Sequence, residues 1–345
     1  MRFPADLNKY TRLLFVLLCV LTVWRAFAAE VDSVTPRGVR LPDSVEAIND
    51  IFNQRIEEGI QKADAGQGYP PESADLTGKW SATFCDEEAL YTELRKAVFQ
   101  TFTLSFGLKG YDLDRQLREL LAHRSYALPL NDSIYRDVDY LEGFSLNLKE
   151  LSDIVNLEGH LVGLDKIGHF FAQGWQYFEM TAFDGATLPE ALAWGRQKET
   201  GLYGYTTTGI FSYADLVANL NGWRFWNRVR LTQPDPLKGR IANFLARPYA
   251  GCSIQIIESI KHRTLIRAWD TAARFDLADY LDGAWDEGNN CNSYADPMIE
   301  EKVTARIRQV DPAFVCPLNA GDCRAARNKY GDYAKYVLHP YCLRQ

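Results

Sequence analysis

The chain of 345 residues is predicted to fold as a mainly α-helical, multi-helix globular bundle with long loops. Three observations support this prediction. Apolar residues recur every three or four positions in most segments, strand-like alternation persists nowhere beyond a few residues, and the cysteine content indicates stapling by disulfide bonds. With 47% hydrophobic and 13% aromatic residues, the chain can bury a large core.

The first 28 residues have the pattern of a signal peptide. Basic residues precede an apolar run of 12 residues, Leu13 to Trp24, which is shorter than the roughly 20 residues of a membrane span. Small residues at Ala26 and Ala28 then predict cleavage after Ala28. Export follows from this pattern, and the alternative is a segment retained as an anchor.

The remainder is expected to form an N-terminal arm, residues 29–41, followed by a single helical domain, residues 42–345. Stretches rich in Pro and Gly near 65–80 and 232–251 mark possible sub-boundaries. Helices are predicted in this order: from 45 after a cap at Asp43 or Ser44, then 86–102, 111–123, one or two within 135–155, 158–179, 187–199 from a Thr-Leu-Pro-Glu capping box, 212–226, 252–281, 297–309 and 323–336.

Charge excludes one broad class of partner. Loss of residues 1–28 removes four cations and one anion, so the formal charge changes from −7 to −10. Nucleic acid is therefore not expected as a partner, because phosphate binding needs a basic surface. The same balance argues against simple electrostatic adhesion to anionic lipid, and no membrane span is expected after cleavage.

Six cysteines remain after cleavage, an even number that suggests disulfide bonds in an exported protein. They are Cys85, Cys252, Cys291, Cys316, Cys323 and Cys342. Because a turn-forming loop separates Cys316 from Cys323, these two are expected to pair with each other. No C-x-x-C motif occurs in the sequence, so a zinc ribbon or a thioredoxin-like site is not expected.

The candidate functional site consists of two helical stripes with matching patterns. Each stripe places an Asp, small residues and a polar residue at offsets of 0, 3, 4 and 7, which lie on one face of a helix. The stripes are Asp165, Gly168, His169 and Ala172 in one segment, and Asp215, Ala218, Asn219 and Gly222 in the other. Small residues allow two helix backbones to approach closely, so the polar groups are expected to face each other.

These residue types suggest a metal site. His160, Asp165 and His169 are candidate ligands for a divalent metal such as zinc, since imidazole and carboxylate suit such ions. Asp215 and Glu199 are candidate catalytic residues, with Asp215 as base or further ligand. Residues 203–208, a stretch of Tyr, Gly and Thr, are expected to shape an adjoining pocket.

Each of these residues also has a structural interpretation. Asp165 and Asp215 would serve as helix caps, and His169 as a hydrogen-bonded core residue. Asn219 and Lys166 would form a structural polar pair in the helix contact, and Glu199 would be solvated. An acidic run that includes Asp279, Asp282, Asp286 and Glu287 lacks the order of an EF-hand, so it is expected to be an ordinary solvated loop.

The residues Asp165-Lys166-x-x-His169-Phe170, followed by Ser212-x-x-Asp215-Leu216-x-Ala218-Asn219-x-x-Gly222, resemble a motif of VanZ-like and YfiM-like bacterial envelope proteins. The resemblance covers about residues 158–226 and implies a cell-envelope location, periplasmic or secreted. It implies little about chemistry. The chain differs from those proteins in lacking a lipobox cysteine and VanZ-type membrane spans, and in its cysteine-bearing flanks.

Two functions are therefore considered for an exported envelope protein. The first is a non-catalytic structural or binding role, in which the polar stripes hold two close helices together. The second is a metal-assisted hydrolase that acts on a lipid-linked or cell-wall substrate. The first is favoured, and the sequence does not identify a small-molecule or lipid substrate.

Overall fold

The computed structural model describes residues 30–65, 85–100, 102–103, 109–110, 113–139, 141–143, 146, 150–201, 204–206, 208–258 and 263–344. The predicted signal peptide, most of the possible boundary near 65–80, and Tyr203 lie outside these residues. The α-helices are α1 Val45–Ala65, α2 Glu87–Val98, α3 Leu113–Leu120, α4 Asp165–Gly168, α5 Gly174–Ala182, α6 Leu188–Thr200, α7 Tyr213–Arg230, α8 Arg240–Phe244, α9 Pro297–Val310, α10 Ala320–Tyr330, α11 Ala334–Val337 and α12 Pro340–Arg344.

Short strands form four antiparallel pairs in the described part of the chain. The strands are β1 Phe102–Thr103, β2 Lys109–Gly110, β3 Ile154–Leu157, β4 His160–Gly163, β5 Ile210–Phe211, β6 Ala250–Glu258, β7 Arg263–Thr271 and β8 Ser293–Tyr294. They pair as β1–β2, β3–β4, β5–β8 and β6–β7. The fold is thus mainly helical, as predicted, with a few antiparallel strand pairs among the helices.

Several helices begin where the sequence predicts. The Asp43 side chain accepts a hydrogen bond from the backbone N–H of Val45, and Asp86 caps α2. At the start of α6, Thr187 and Glu190 form the reciprocal capping box. Local capping chemistry therefore fixes the N-termini of these helices.

The predicted helix over 252–281 is wrong. This segment contains the β6–β7 hairpin, with Ile254 opposite Arg267 and Ile256 opposite Leu265. The isoleucines satisfy both a helical and a strand spacing, and the enrichment in β-branched residues is the signal that favours strands.

Of the helices predicted within 135–155, the structure shows Leu146 as helical, whereas residues 135–137 form turns and residues 154–155 belong to β3. The predicted central helix begins at Asp165 rather than near 158, because Glu158 and Gly159 form a two-residue hairpin turn between β3 and β4. Their φ angles of 52° and 89° are typical of a type I′ turn. The polar segment after residue 30 is not a loose arm, since Val31 and Val34 are buried.

The structure places disulfide bonds between Cys85 and Cys252, Cys291 and Cys316, and Cys323 and Cys342. The expected pair Cys316–Cys323 is therefore wrong. Cys316 lies on a loop whose backbone reaches Gly288, whereas Cys323 lies inside α10 and faces α12. Sequence proximity of two cysteines thus did not predict their pairing, because the loop between them directs them to different neighbours.

A close crossing of two helices lies at the centre of the main hydrophobic core. Helices α4 and α5 are joined without interruption by a π-helical turn, His169–Gln173, and together they pack against α7. A Cβ atom on Gly222 would lie 1.7 Å from the carbonyl oxygen of Phe170, and one on Gly174 would lie 2.5 Å from Cα of Gly222. These glycines therefore set the distance between the two backbones. Gly222 belongs to a predicted stripe, whereas Gly174 does not, and the stripe residue Gly168 faces Asp114 instead.

Aromatic rings surround this crossing. Phe171 lies 4.1 Å from Phe52 of α1 and 5.2 Å from Phe225 of α7, measured between ring centroids. The indole N–H of Trp226 donates to the carbonyl of Phe171 at 2.9 Å, inside the π-helical turn. The core thus holds the π-helical turn on its apolar side, which fixes the direction of the polar residues on its other side.

We predict that Gly222→Ala lowers the free energy of unfolding by about 3 kcal/mol, because the added methyl group overlaps the Phe170 carbonyl oxygen. Urea denaturation measures this loss. Gly38→Ala is the matched control, since a Cβ at Gly38 meets nothing within 4 Å. Equal stability of the two variants would contradict the close crossing.

Candidate functional site

The first polar residue of the site, Asp165, opens α4 directly after the β3–β4 hairpin. Its backbone N–H donates to the Ser152 hydroxyl at 2.9 Å, and its side chain makes no capping hydrogen bond. The capping interpretation of Asp165 is therefore wrong. Ser212 is the residue that caps α7, accepting from the backbone N–H of Asp215 at 3.3 Å.

The ammonium group of Lys166 lies at the centre of a buried ion cluster. It contacts Asp165 Oδ2 at 2.8 Å, Asp215 Oδ1 at 2.5 Å and Glu287 Oε1 at 2.7 Å. Burial alone would lower the pKa of Lys166, but these three carboxylates outweigh it and raise the pKa well above its ordinary value. Lys166 is thus a buried cation, and its partner is the acidic cluster rather than Asn219.

His169 lies between the two helices and faces both predicted residues of α7. Its Nδ1 is 3.1 Å from Oδ1 of Asn219, and its Nε2 is 3.1 Å from Oδ2 of Asp215. The amide of Asn219 in turn donates to the Tyr177 hydroxyl at 3.4 Å. The structure therefore brings together the two stripes, Asp165 with His169 and Asp215 with Asn219.

The contact with Asn219 determines what His169 can do. In its neutral form, an imidazole that donates Nδ1–H to the amide oxygen carries a lone pair on Nε2. Nε2 and the Asp215 carboxylate are then two acceptor atoms 3.1 Å apart, an arrangement that needs a proton or a metal cation between them. The role of Asn219 is to orient the ring.

Asp165, His169 and Asp215 can converge on one ion. Each offers one ligand atom, and these three atoms lie within 4.8 Å of one another. Oδ1 of Asp165 is buried and has no hydrogen-bond partner in the described part of the chain. His160, the other predicted ligand, lies partly exposed at the start of β4, opposite Leu157, and is not a member of this group.

The buried carboxyl groups in and around the ion cluster have shifted pKa values. Glu199 is buried, so its solvated interpretation is wrong. Its burial, together with the negative charges of Asp215 and Glu30, raises its pKa well above the ordinary value. Burial, reinforced by Glu287, raises the pKa of Glu30 to about 8. Burial raises the pKa of Asp165 as well, whereas Asp215 has a lowered pKa because His169 and Lys166 together outweigh its burial.

Three residues near the site were missed by the sequence analysis. Glu287 is buried in the acidic run, where it accepts from Ser212 at 2.9 Å and from Asn292 at 2.7 Å. The solvated interpretation is therefore wrong for Asp286 and Glu287, whereas Asp279 is exposed. The Glu30 carboxyl forms a side-chain hydrogen bond with Thr208, a residue of the stretch 203–208 that is predicted to adjoin the site. Asp114 approaches α4 at Gly168, and burial with the nearby charge of Asp165 raises its pKa to about 6.

The separation of these residues along the chain explains why they were missed. Glu287 is followed by a glycine and two asparagines, which favour a surface loop. Its neighbour Asp286 forms an ion pair with Arg37 and accepts from the backbone N–H of Leu161 at 3.0 Å. These tertiary contacts hold the loop so that Glu287 lies in the site, and no local sequence pattern predicts them.

No protein-family model matches the chain, and no curated protein or solved structure matches it significantly. The resemblance to VanZ-like and YfiM-like proteins stays a prediction. None of the helices within the described ranges is both long and apolar enough to span a membrane. The inference of function therefore depends on the geometry of the site.

We predict that Glu30→Gln stabilises the metal-free protein at alkaline pH. The folded-state pKa of Glu30, about 8, lies above its ordinary value of 4.5, so the folded protein holds the proton more tightly than the unfolded chain does. The stability due to this group is complete below pH 4.5 and is lost as the pH rises through 8. The variant should gain about 1 kcal/mol above that pH and nothing near pH 4.5, measured by urea denaturation with a chelator present.

The exposed Glu301 provides the control for this experiment. Glu301→Gln should leave the pH dependence of stability unchanged. A Glu30→Gln variant whose stability follows the wild type at every pH would contradict the burial of the Glu30 carboxyl.

Proposed function

We propose that this chain is an exported envelope protein with a non-catalytic role, in which Asp165, His169 and Asp215 bind one divalent cation such as zinc. The observation that carries the proposal is the convergence of the three buried ligand atoms within 4.8 Å. The ion would join α4 to α7 at their crossing. A carboxylate–imidazole–carboxylate set suits zinc, manganese or iron.

Charge supports a cation at this position. Three buried carboxyl groups, those of Asp165, Asp215 and Glu287, contact the single ammonium group of Lys166 in the described part of the chain. One ammonium group does not balance them, and an uncompensated buried carboxylate costs several kcal/mol. A divalent ion at Asp165 and Asp215 would offset the excess without protonating either ligand.

The surroundings of His169 also support metal binding. Histidines that ligate metals commonly donate their second ring N–H to an oxygen atom, which fixes the tautomer and the ring orientation. Asn219 provides that oxygen atom at 3.1 Å, and Tyr177 in turn accepts from the Asn219 amide. A buried imidazole N–H needs an acceptor in any case, and the position of this one leaves Nε2 of His169 facing Asp215.

Burial favours a non-catalytic role. Asp165 and His169 are each 1% exposed and Asp215 is 7% exposed, so the three ligands leave little surface for a substrate. Lys166 and Ser212 occupy positions beside Asp215 that a substrate would otherwise approach. A cation held there would stabilise the fold.

A second candidate function is a metal-assisted hydrolase acting on a lipid-linked or cell-wall substrate. It is favoured by the number of protein ligands, because three ligands leave a tetrahedral ion one open position for water. Glu199, whose pKa is raised by burial and by Asp215, would then serve as a proton donor. Hydrolysis of envelope lipids or cell-wall fragments that Glu199→Gln abolishes would favour this function.

Export is supported by the three disulfide bonds, which form and persist in oxidising compartments. The signal-peptide pattern of residues 1–28 points the same way. Attachment to the envelope rests on the sequence motif shared with VanZ-like and YfiM-like proteins.

We predict that the purified, chelator-treated protein takes up about one zinc ion per chain, and that zinc raises its melting temperature. An ion that binds only the folded state adds about 2.7 kcal/mol of stability at a free concentration of about 100 times its Kd. His169→Ala should remove both effects, because it deletes the imidazole ligand. Bound metal is measured by mass spectrometry and stability by differential scanning fluorimetry.

His160→Ala is the matched control, since His160 lies outside the group of converging ligands. This variant should bind zinc as the wild type does. Absence of metal from the wild type at saturating zinc, or equal losses in the two histidine variants, would overturn the proposal.

A further inference from the structure

The loop between α7 and β6, residues 231–249, presents a small apolar surface. Ile241, Phe244 and Leu245 are 77%, 87% and 69% exposed. Their spacing of three and four residues places them on one face of α8 and its last turn. Large apolar side chains grouped in this way on an outer surface mark an interaction site more often than isolated ones do.

Hydrogen bonds on the inner side of the loop fix this exposure. Arg224, on buried α7, contacts both carboxylate oxygens of Asp235 at 2.8 to 3.0 Å. Asn243 donates from its amide to the carbonyls of Asp235 and Lys238 at 2.9 and 3.0 Å, and its oxygen accepts from the backbone N–H of Asp235 at 2.8 Å. These hydrogen bonds fix the backbone of the loop in a conformation that leaves the three apolar side chains exposed.

Cations surround the apolar surface. Lys238, Arg240 and Arg247 lie within the same loop, and Arg240 and Arg247 are exposed. The single acidic residue of the loop, Asp235, is neutralised by Arg224. The loop is thus locally basic in a chain whose formal charge is −7. Interleaved cations and large apolar side chains are typical of elements that insert into a lipid interface.

We propose that residues 238–247 dock on an anionic membrane surface, with Ile241, Phe244 and Leu245 inserted among the lipid tails and the three cations at the headgroups. The local charge is complementary to anionic lipid, whereas adhesion by the whole acidic surface is excluded. Three side chains offer a few hundred Å², well below the roughly 800 Å² per partner of a stable protein interface. The surface is distinct from the proposed metal site and does not depend on it.

Vesicle binding tests this proposal with the mature chain. The protein should sediment with vesicles of phosphatidylglycerol and phosphatidylethanolamine in equal amounts, and at least tenfold less with phosphatidylcholine vesicles. The triple variant Ile241→Ser, Phe244→Ser and Leu245→Ser should bind the anionic vesicles at least tenfold more weakly. Its melting temperature should match the wild type, because the replaced side chains point into solvent.

The matched control is Met298→Ser with Val315→Ser, which removes side chains 59% and 69% exposed elsewhere on the molecule. This control should bind vesicles as the wild type does. Equal vesicle binding by the triple variant and the wild type would overturn the proposal. So would self-association in light scattering that the triple variant abolishes while no vesicles are bound, since the loop would then be a contact between copies.

Discussion

The buried ammonium group of Lys166 is the interaction on which the rest of the site depends. It lies within 2.8 Å of carboxylates from three segments of the chain, at Asp165, Asp215 and Glu287. Removing one partner of a buried ion pair commonly costs about 3 to 5 kcal/mol, because the remaining charge is left uncompensated. The helix crossing and the loop after residue 283 must therefore assemble together, and this requirement links the fold to the site.

Packing and electrostatics meet in the π-helical turn. Gly174 and Gly222 allow α5 and α7 to cross closely, and the indole of Trp226 donates a hydrogen bond to a carbonyl of the turn. The turn leaves His169 facing Asp215 and Asn219 on the polar side of the crossing. Apolar packing on one side thus positions the candidate ligand atoms on the other.

The sequence predicts what is encoded locally. The spacing of Asp165 and His169 predicts that they share a helix face. The capping box of Thr187 predicts a helix start. Glu287, by contrast, belongs to the site because of tertiary contacts such as its ion pair with Lys166, which lies more than a hundred residues away in the sequence. No periodicity encodes such a contact. The 252–281 segment was mispredicted because Ile254 and its neighbours fit two periods, and only pairing with β7 decides between them.

We propose that the buried carboxylate–imidazole cluster is a cation site rather than a packing device alone. Anomalous X-ray scattering at the zinc absorption edge, from crystals grown with zinc, tests it most directly. We expect one strong anomalous peak within about 2.3 Å of ligand atoms from Asp165, His169 and Asp215. A well-ordered crystal with no peak between these side chains, or with zinc only at the surface, would contradict it.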